Sequence, residues 1–213
     1  MKPSSVYVLS VTQAALLPKA WCEEHFPVRM ERSRKFRREE DKLRSVAAGA
    51  LECYALGVDE SGICVEENGK PRASGGEYGF SVSHSGNYAV LALSEGEVGA
   101  DIEKLEDVRH NVAQRVFTPE ELLWMREDVQ NRFYILWTLK ESVCKLDGRG
   151  LNLPMESFSV LPIIRGGSIT VGENKIFGCS QIFETYALSL CSTEKVNIFP
   201  IKILTAEDIL SGE

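Results

Sequence analysis

Apolar and polar positions change period several times along the 213-residue chain, and each change marks an element. Alternation in "VYVLSV" (6–11) predicts a first strand, followed by a loop. A helical period then runs from about Arg32 to Leu56, and its second half, "KLRSVAAGALECYAL", is apolar on one side. Asn-Gly, Lys-Pro and Gly-Gly steps in "ENGKPRASGGEYG" mark turns. Strand patterns return in "FSVSHS", "YAVLALS" and "EVGADIE". "TPEELLWMRE" opens as a helix, with Thr118 as N-cap, Pro119 in the first turn and Glu121 three residues after the cap. A second long helix is expected over about Asn131 to Leu146, with Leu136, Leu139, Val143 and Leu146 as its apolar stripe. Beyond "DGRGLNLP" the chain reads as strand in "FSVLPII", "GSITV", "SQIFETYALSLCS" and "VNIFPIKIL".

The order of strand, long helix, turns and strands therefore occurs twice. "YAVLALS" (88–94) and "YALSLCS" (186–192) hold similar places in the two series. This predicts an α+β fold of two similar halves, 1–100 and 101–213, related by a pseudo-twofold axis. A cleft between such halves is where a small-molecule site is expected. Two halves in one chain also favour a monomer.

Composition narrows the setting. The apolar fraction of 44% and charged fraction of 26% are those of an ordinary globular protein. No apolar run approaches the roughly 20 residues that span a bilayer. The opening "MKPSSVYVLSVTQAALLP" reads as strand and loop, not as a signal peptide. Six cysteines without CxxC spacing are expected to be reduced, mostly buried thiols, which suits the cytoplasm. A net charge of −7 argues against general nucleic-acid binding. The charge is uneven, however: "RMERSRKFRREEDKLR" (29–44) carries eight basic and four acidic residues. Such a segment is either a solvated helix or a local anion site, since Arg pairs well with phosphate.

Three stretches carry possible chemistry. In "VGADIEKLEDV" (98–108) a strand would turn Val98, Ala100 and Ile102 to one face, with Asp101 and Glu103 on the other. Two carboxylates roughly 7 Å apart repel by about 2 kcal/mol at an effective dielectric of about 20. Either water screens them on an open face, or a cation takes them. On the second long helix Trp137, Glu141 and Lys145 follow at i, i+4 spacing, which is either a surface ion pair or a carboxylate and an ammonium group aimed at a site. "FSVSHSG" (80–86) sets His84 between Ser83 and Ser85, several donors in a row but without the Gly-x-Ser-x-Gly elbow of a hydrolase.

Together and in this order, "GKP", "FSVSHSG", "VGADIEK", "FTPEE" and "FYILWTLKESVCKLDGRGL" resemble the surfactin-type 4′-phosphopantetheinyl transferases. The resemblance covers about Arg29 to Val160, and Ala100 stands where the family usually has Val or Ile. It implies transfer of the phosphopantetheine arm of coenzyme A to a serine of an apo acyl or peptidyl carrier protein, with adenosine 3′,5′-bisphosphate as by-product. Such carriers serve fatty acid, polyketide or nonribosomal peptide synthesis. It further implies that Asp101, Glu103 and Glu141 hold Mg²⁺ (Mn²⁺ as an alternative) together with the pyrophosphate. Glu141 would be the base for the carrier serine, directly or through water, Glu121 a reserve candidate for metal or base, and Lys145 the partner of the departing phosphate. Arg29, Arg32 and Arg44 match contacts to coenzyme A, Gly69 and Lys70 its adenine-side turn, and Ser83 and His84 its phosphates. Two other classes compete: a coenzyme A- or carrier-binding module without catalysis, which needs no acidic trio, and a Mg²⁺ phosphohydrolase, for which no phosphate loop is present.

Overall fold

A computed structural model describes residues 4–66, 69–75, 78–196 and 198–212. Asn68, in the expected "NGK" turn, and Gly76 and Glu77, in its Gly-Gly-Glu step, lie outside the described residues, as does Asn197.

The chain is a mixed α+β protein. Strand β1 (Ser5–Ser10) is followed by short helices α1 (Val11–Ala14), α2 (Lys19–His25) and α3 (Pro27–Ser33), then by the long helix α4 (Glu39–Leu56). A small ribbon, β2 (Ile63–Val65) and β3 (Pro71–Ala73), leads to β4 (Gly79–Ser85) and β5 (Tyr88–Ser94). The second series is β6 (Val98–Lys104), α5 (His110–Val116), α6 (Pro119–Met125) and the long helix α7 (Val129–Asp147). It continues with α8 (Leu161–Ile164), β7 (Ile169–Val171), β8 (Asn174–Phe183), β9 (Tyr186–Ser192), β10 (Ile201–Leu204) and α9 (Ala206–Ser211).

The strands form two four-stranded sheets, ordered β10-β1-β5-β4 and β6-β9-β8-β7. In each, the strand before the long helix pairs with the second strand of the later hairpin, so β1-β5-β4 and β6-β9-β8 repeat one order. The C-terminal tail crosses back: β10 runs parallel to β1, and Leu204, Ala206 and Ile209 are buried in the core beneath α4.

Alternation builds the layers. Val6, Val8, Val90 and Ala92 of one sheet meet Val98, Ala100, Ile102, Leu188 and Leu190 of the other in a shared apolar core. The opposite face of the first sheet, through Leu9, Ala89 and Leu91, packs on the Ala-rich face of α4. Behind the second sheet, α7 buries Leu136, Leu139, Val143 and Leu146, all at 2% exposure or less. The stripe read from the sequence is this face.

Gly99 decides how close α7 can come. A Cβ there would collide with the Ser142 carbonyl oxygen and lie 2.6 Å from Leu146 N, so only glycine lets the helix rest on β6. Thr138 and Ser142 then find polar partners across the contact. Ser189 Oγ lies 2.6 Å from Thr138 Oγ1, and Ser142 Oγ donates to Ser189 O at 3.2 Å.

Several local expectations are corrected. The basic stretch is not one helix from Arg32: α3 ends at Ser33 and α4 begins at Glu39. Between them "RKFRR" offers no apolar stripe, and Arg34 and Arg38 would repel at i, i+4. Glu39, Glu40 and Asp41 suit the positive end of the new helix. The loop expected after β1 holds three helices too short to show a period. "FSVLPII" is coil and the short helix α8, because Pro162 has no N–H for a ladder and fits a first helical turn. Among the described residues of "VNIFPIKIL" only 201–204 is strand, beginning just after Pro200. The Thr118–Glu121 capping box forms as expected.

Candidate active site

β4 and β6, edge strands of different sheets, run side by side with α4 and α7 flanking them. Where they meet is a cleft of about 480 Å³ lined by Arg29, Ala48, Glu52, Val82, Ser83, His84, Asp101, Glu103, Glu141 and Lys145. Residues from both series of elements contribute. Arg29, Ser83, His84, Asp101, Glu103, Glu141 and Lys145 were singled out from the sequence, and the fold brings all seven to one cleft.

Its acidic side is tightly built. Asp101 is 4% exposed, so it does not sit on an open polar face. Its Oδ1 accepts from Ser83 Oγ at 2.6 Å and from Lys145 Nζ at 2.8 Å, whereas buried Oδ2 has no partner. Lys145 also donates to Ala100 O at 3.2 Å, so its ammonium is tied to β6. Glu103 Oε2 accepts from Ser85 Oγ at 2.7 Å, and the Trp137 indole hydrogen-bonds the same carboxylate. Burial, and then the charge of Asp101, hold the carboxyls of both Glu103 and Glu141 above the ordinary range. Among the described residues, no group of three or more His, Cys, Asp or Glu side chains stands close enough to enclose a metal ion. The three carboxylates share a cleft without converging into a cage.

The opposite side is cationic. His84 lies at the rim, its imidazole held below the usual value first by partial desolvation and then by the charges of Arg44, Lys145 and Arg29. Arg29 is already matched: its Nη2 donates to both oxygens of Glu52, at 2.8 and 2.6 Å. Burial raises the Glu52 carboxyl, and Arg29 opposes that rise. Glu60 accepts the backbone N–H groups of Val28 and Arg29, at 2.7 and 3.0 Å, and fixes the start of α3. Nothing in the sequence pointed to Glu52, because it meets Arg29 from another helix.

Other expected residues lie apart from the cleft wall. Arg44 donates to Gly86 O at 2.8 Å and pairs with Asp41, reaching the site only through its charge on His84. Arg32 is exposed in the last turn of α3. Lys70 is 7% exposed, pairs with Glu97 and donates to Leu146 O at 2.7 Å, a tie between β3 and the end of α7. With Gly69, which has φ of 89°, it borders a neighbouring cavity of about 220 Å³ that shares Val82 and Lys145 with the cleft. Glu121 is fully buried: it accepts from Thr118 N and Val160 N, each at 2.8 Å, and pairs with buried Lys140 at 2.9 Å. Both its oxygens are engaged in holding α6, α7 and the 155–160 segment together.

A cleft that brings carboxylates together with His84, Lys145 and Arg29 has side chains suited to a phosphorylated molecule. Comparison with known proteins names the family. The profile of the 4′-phosphopantetheinyl transferase superfamily matches residues 97–191. A 4′-phosphopantetheinyl transferase of Bacillus subtilis is 33% identical over 196 residues, 84% of this chain and 87% of that one. The 4′-phosphopantetheinyl transferase ffp of Bacillus subtilis is 36% identical over 141 residues, 61% of this chain and 63% of its own. For 4′-phosphopantetheinyl transferase Sfp of Bacillus subtilis (strain 168) the figures are 34% over 145 residues, 63% and 65%. The last two matches thus span a little under two thirds of those relatives. This chain belongs to the 4′-phosphopantetheinyl transferase superfamily, on the side of these Bacillus enzymes, and is a transferase. Among the described residues no helix is long and apolar enough to cross a membrane.

Proposed function

We propose that the chain transfers the 4′-phosphopantetheine arm of coenzyme A to a serine of an apo acyl or peptidyl carrier protein. The serine oxygen attacks the β-phosphorus of the pyrophosphate, the bond to the nucleotide oxygen breaks, and adenosine 3′,5′-bisphosphate leaves. One observation carries this reading: a single cleft gathers Asp101, Glu103 and Glu141 with Lys145, His84 and the Arg29–Glu52 pair. Two halves, 1–100 and 101–213, about a pseudo-twofold axis account for a cleft fed by both series. Contacts between positions 98 residues apart support that axis, with Ser94 Oγ and Ser192 Oγ 3.2 Å apart and the rings of Tyr88 and Tyr186 at 5.0 Å.

Mg²⁺, with Mn²⁺ as alternative, fits the acidic side. Asp101 Oδ2 is buried without a partner, and burial, then the Asp101 charge, raises the carboxyls of Glu103 and Glu141 although Lys145 opposes the rise. Oxygen donors too few for a cage suit an ion that completes its shell with phosphate and water. Asp101, Glu103 and Glu141 would hold it, and when bound it supplies charge neutralisation on the pyrophosphate. Glu141 takes the proton of the attacking serine. Lys145 offsets charge on the departing phosphate. His84 and Ser83 border the anion side, Arg29, Arg32 and Arg44 supply its positive field, and Gly69 and Lys70 mark the adenine-side cavity. The enzyme is proposed to act as a cytoplasmic monomer, needing no nucleic acid or membrane.

The test is incubation with coenzyme A, Mg²⁺ and a panel of apo carrier proteins, followed by intact-mass measurement. One carrier gaining the mass of a phosphopantetheinyl group supports the reaction. No gain on any carrier, with coenzyme A binding retained, returns the chain to a binding module.

A further inference from the structure

Arg29 reaches the cleft by lying against a glycine of α4. A Cβ at Gly49 would stand 2.7 Å from Arg29 Cδ and 3.0 Å from the Phe26 ring, so the stem of Arg29 fills the space that glycine leaves. Glu60 holds the backbone behind it, accepting the N–H groups of Val28 and Arg29 at 2.7 and 3.0 Å. About one turn beyond Gly49 on α4, Glu52 takes the guanidinium.

The pair is balanced in charge but not in hydrogen bonds. Nη2 donates to both carboxylate oxygens, at 2.8 Å to Oε1 and 2.6 Å to Oε2, while buried Nε has no partner. An unpaired buried donor is costly, so the grip of Glu52 on Arg29 is incomplete. A phosphate can accept two parallel N–H bonds from one guanidinium and would offer Arg29 a fuller set. Glu52 is 6% exposed and belongs to the same cleft wall, where water screens its charge poorly. Burial raises its carboxyl, Arg29 opposes the rise and Glu60 adds to it. With Glu52 and Glu60 beside it, Arg29 presents no net positive charge to the free cleft.

We infer that Glu52 is an affinity-setting residue: it occupies Arg29 in the free chain as an internal anion, and a phosphate group of the ligand takes the guanidinium from it. The inference rests on the proposed coenzyme A reading of this cleft and calls on no metal ion.

The test is calorimetric binding of coenzyme A, dephospho-coenzyme A and inorganic pyrophosphate to the full chain without metal. Glu52→Gln keeps an acceptor for Nη2 and removes the competing charge, so coenzyme A is expected to bind about tenfold tighter or more. A gain shared by all three probes identifies pyrophosphate as the group that displaces Glu52. A gain confined to coenzyme A identifies the 3′-phosphate, which dephospho-coenzyme A lacks. A residue that merely held Arg29 in place could only loosen the site when changed. Parental or weaker coenzyme A binding by folded Glu52→Gln therefore overturns the inference. Should Glu52→Gln fail to fold by circular dichroism, Arg29→Gln is compared with the chain carrying both changes. The double variant should bind coenzyme A more tightly than Arg29→Gln, in which the Glu52 charge meets the phosphate alone; equal binding overturns the inference. A parent chain that binds no coenzyme A removes the coenzyme A reading itself, and the inference with it.

Discussion

Glu141 shows how burial changes the charge balance of a helix side chain. Desolvation and the neighbouring Asp101 raise its carboxyl, so its charge costs stability in the free enzyme. Glu141→Gln is expected to melt at or above the parental temperature while losing single-turnover transfer by orders of magnitude. A folded variant with parental rates would reduce Glu141 to a surface residue. His84 offers a pH test. Its folded value lies below the ordinary 6.5, so between those values the unfolded chain binds more protons. Stability should therefore fall as pH drops through that window, and His84→Gln should flatten the slope in melting curves. A phosphate ligand brings negative charge to the same rim. Nuclear magnetic resonance titration should show the His84 midpoint moving up when coenzyme A binds; a midpoint that stays put would detach His84 from the anion side.

At the scale of elements, the site depends on the seating of α7 on β6. Leu136, Leu139, Val143 and Leu146 face the core, while Glu141 and Lys145 line the cleft and Trp137, stacked on Phe133, hydrogen-bonds Glu103. Gly99 sets the distance between strand and helix. Gly99→Ala is expected to cost about 1–3 kcal/mol or more by overpacking and to lower turnover although every cleft residue is retained. Thermal melting and single-turnover rates on the same samples check this, and a parental rate would show that α7 can shift without disturbing the carboxylates. Buried Lys140 guards the other side of α7. It pairs with Glu121 and donates to Met155 O at 2.7 Å and Phe158 O at 2.6 Å. Lys140→Met leaves Glu121 charged and uncompensated, so a loss of about 3–5 kcal/mol is expected in denaturant unfolding. A loss below about 1 kcal/mol, the scale of an exposed pair, would mean that the ion pair is solvated.

The whole molecule is held by contacts distant in sequence. β10 extends the first sheet from the far end of the chain, and Phe199, Leu204 and Ile209 are each less than 5% exposed. Removing 200–213 should uncover the edge of β1 and the core beneath α4, lowering the melting temperature and promoting aggregation through the exposed edge. Retained melting with a monodisperse profile would show the first half to be complete without the tail. Because the cleft draws walls from both series of elements, the same truncation is expected to weaken coenzyme A binding, though no cleft residue lies in the removed segment.

The sequence alone determined what period and spacing can encode. Two-residue alternation placed Val98, Ala100 and Ile102 in the core with Asp101 and Glu103 opposite. Helical period gave α7 its buried stripe, and Thr118 to Glu121 announced a helix start that forms as read. Ordered motifs were enough to name the family. Tertiary structure decided what no local pattern carries. Short helices such as α1 to α3 lack enough turns to show a period, and "FSVLPII" is apolar enough for strand or buried helix until Pro162 and its neighbours choose. Glu52 acquires meaning only when α4 brings it to Arg29, across 23 residues of chain. Glu121 and Lys70 read as site residues by motif, yet the fold engages the first in buried contacts with Lys140 and the second with Glu97. The serine hydroxyls of β4 reveal their partners only once two edge strands from different sheets come side by side. Spacing along a chain fixes which side chains share a face; which face meets which is settled by the packing of the whole molecule.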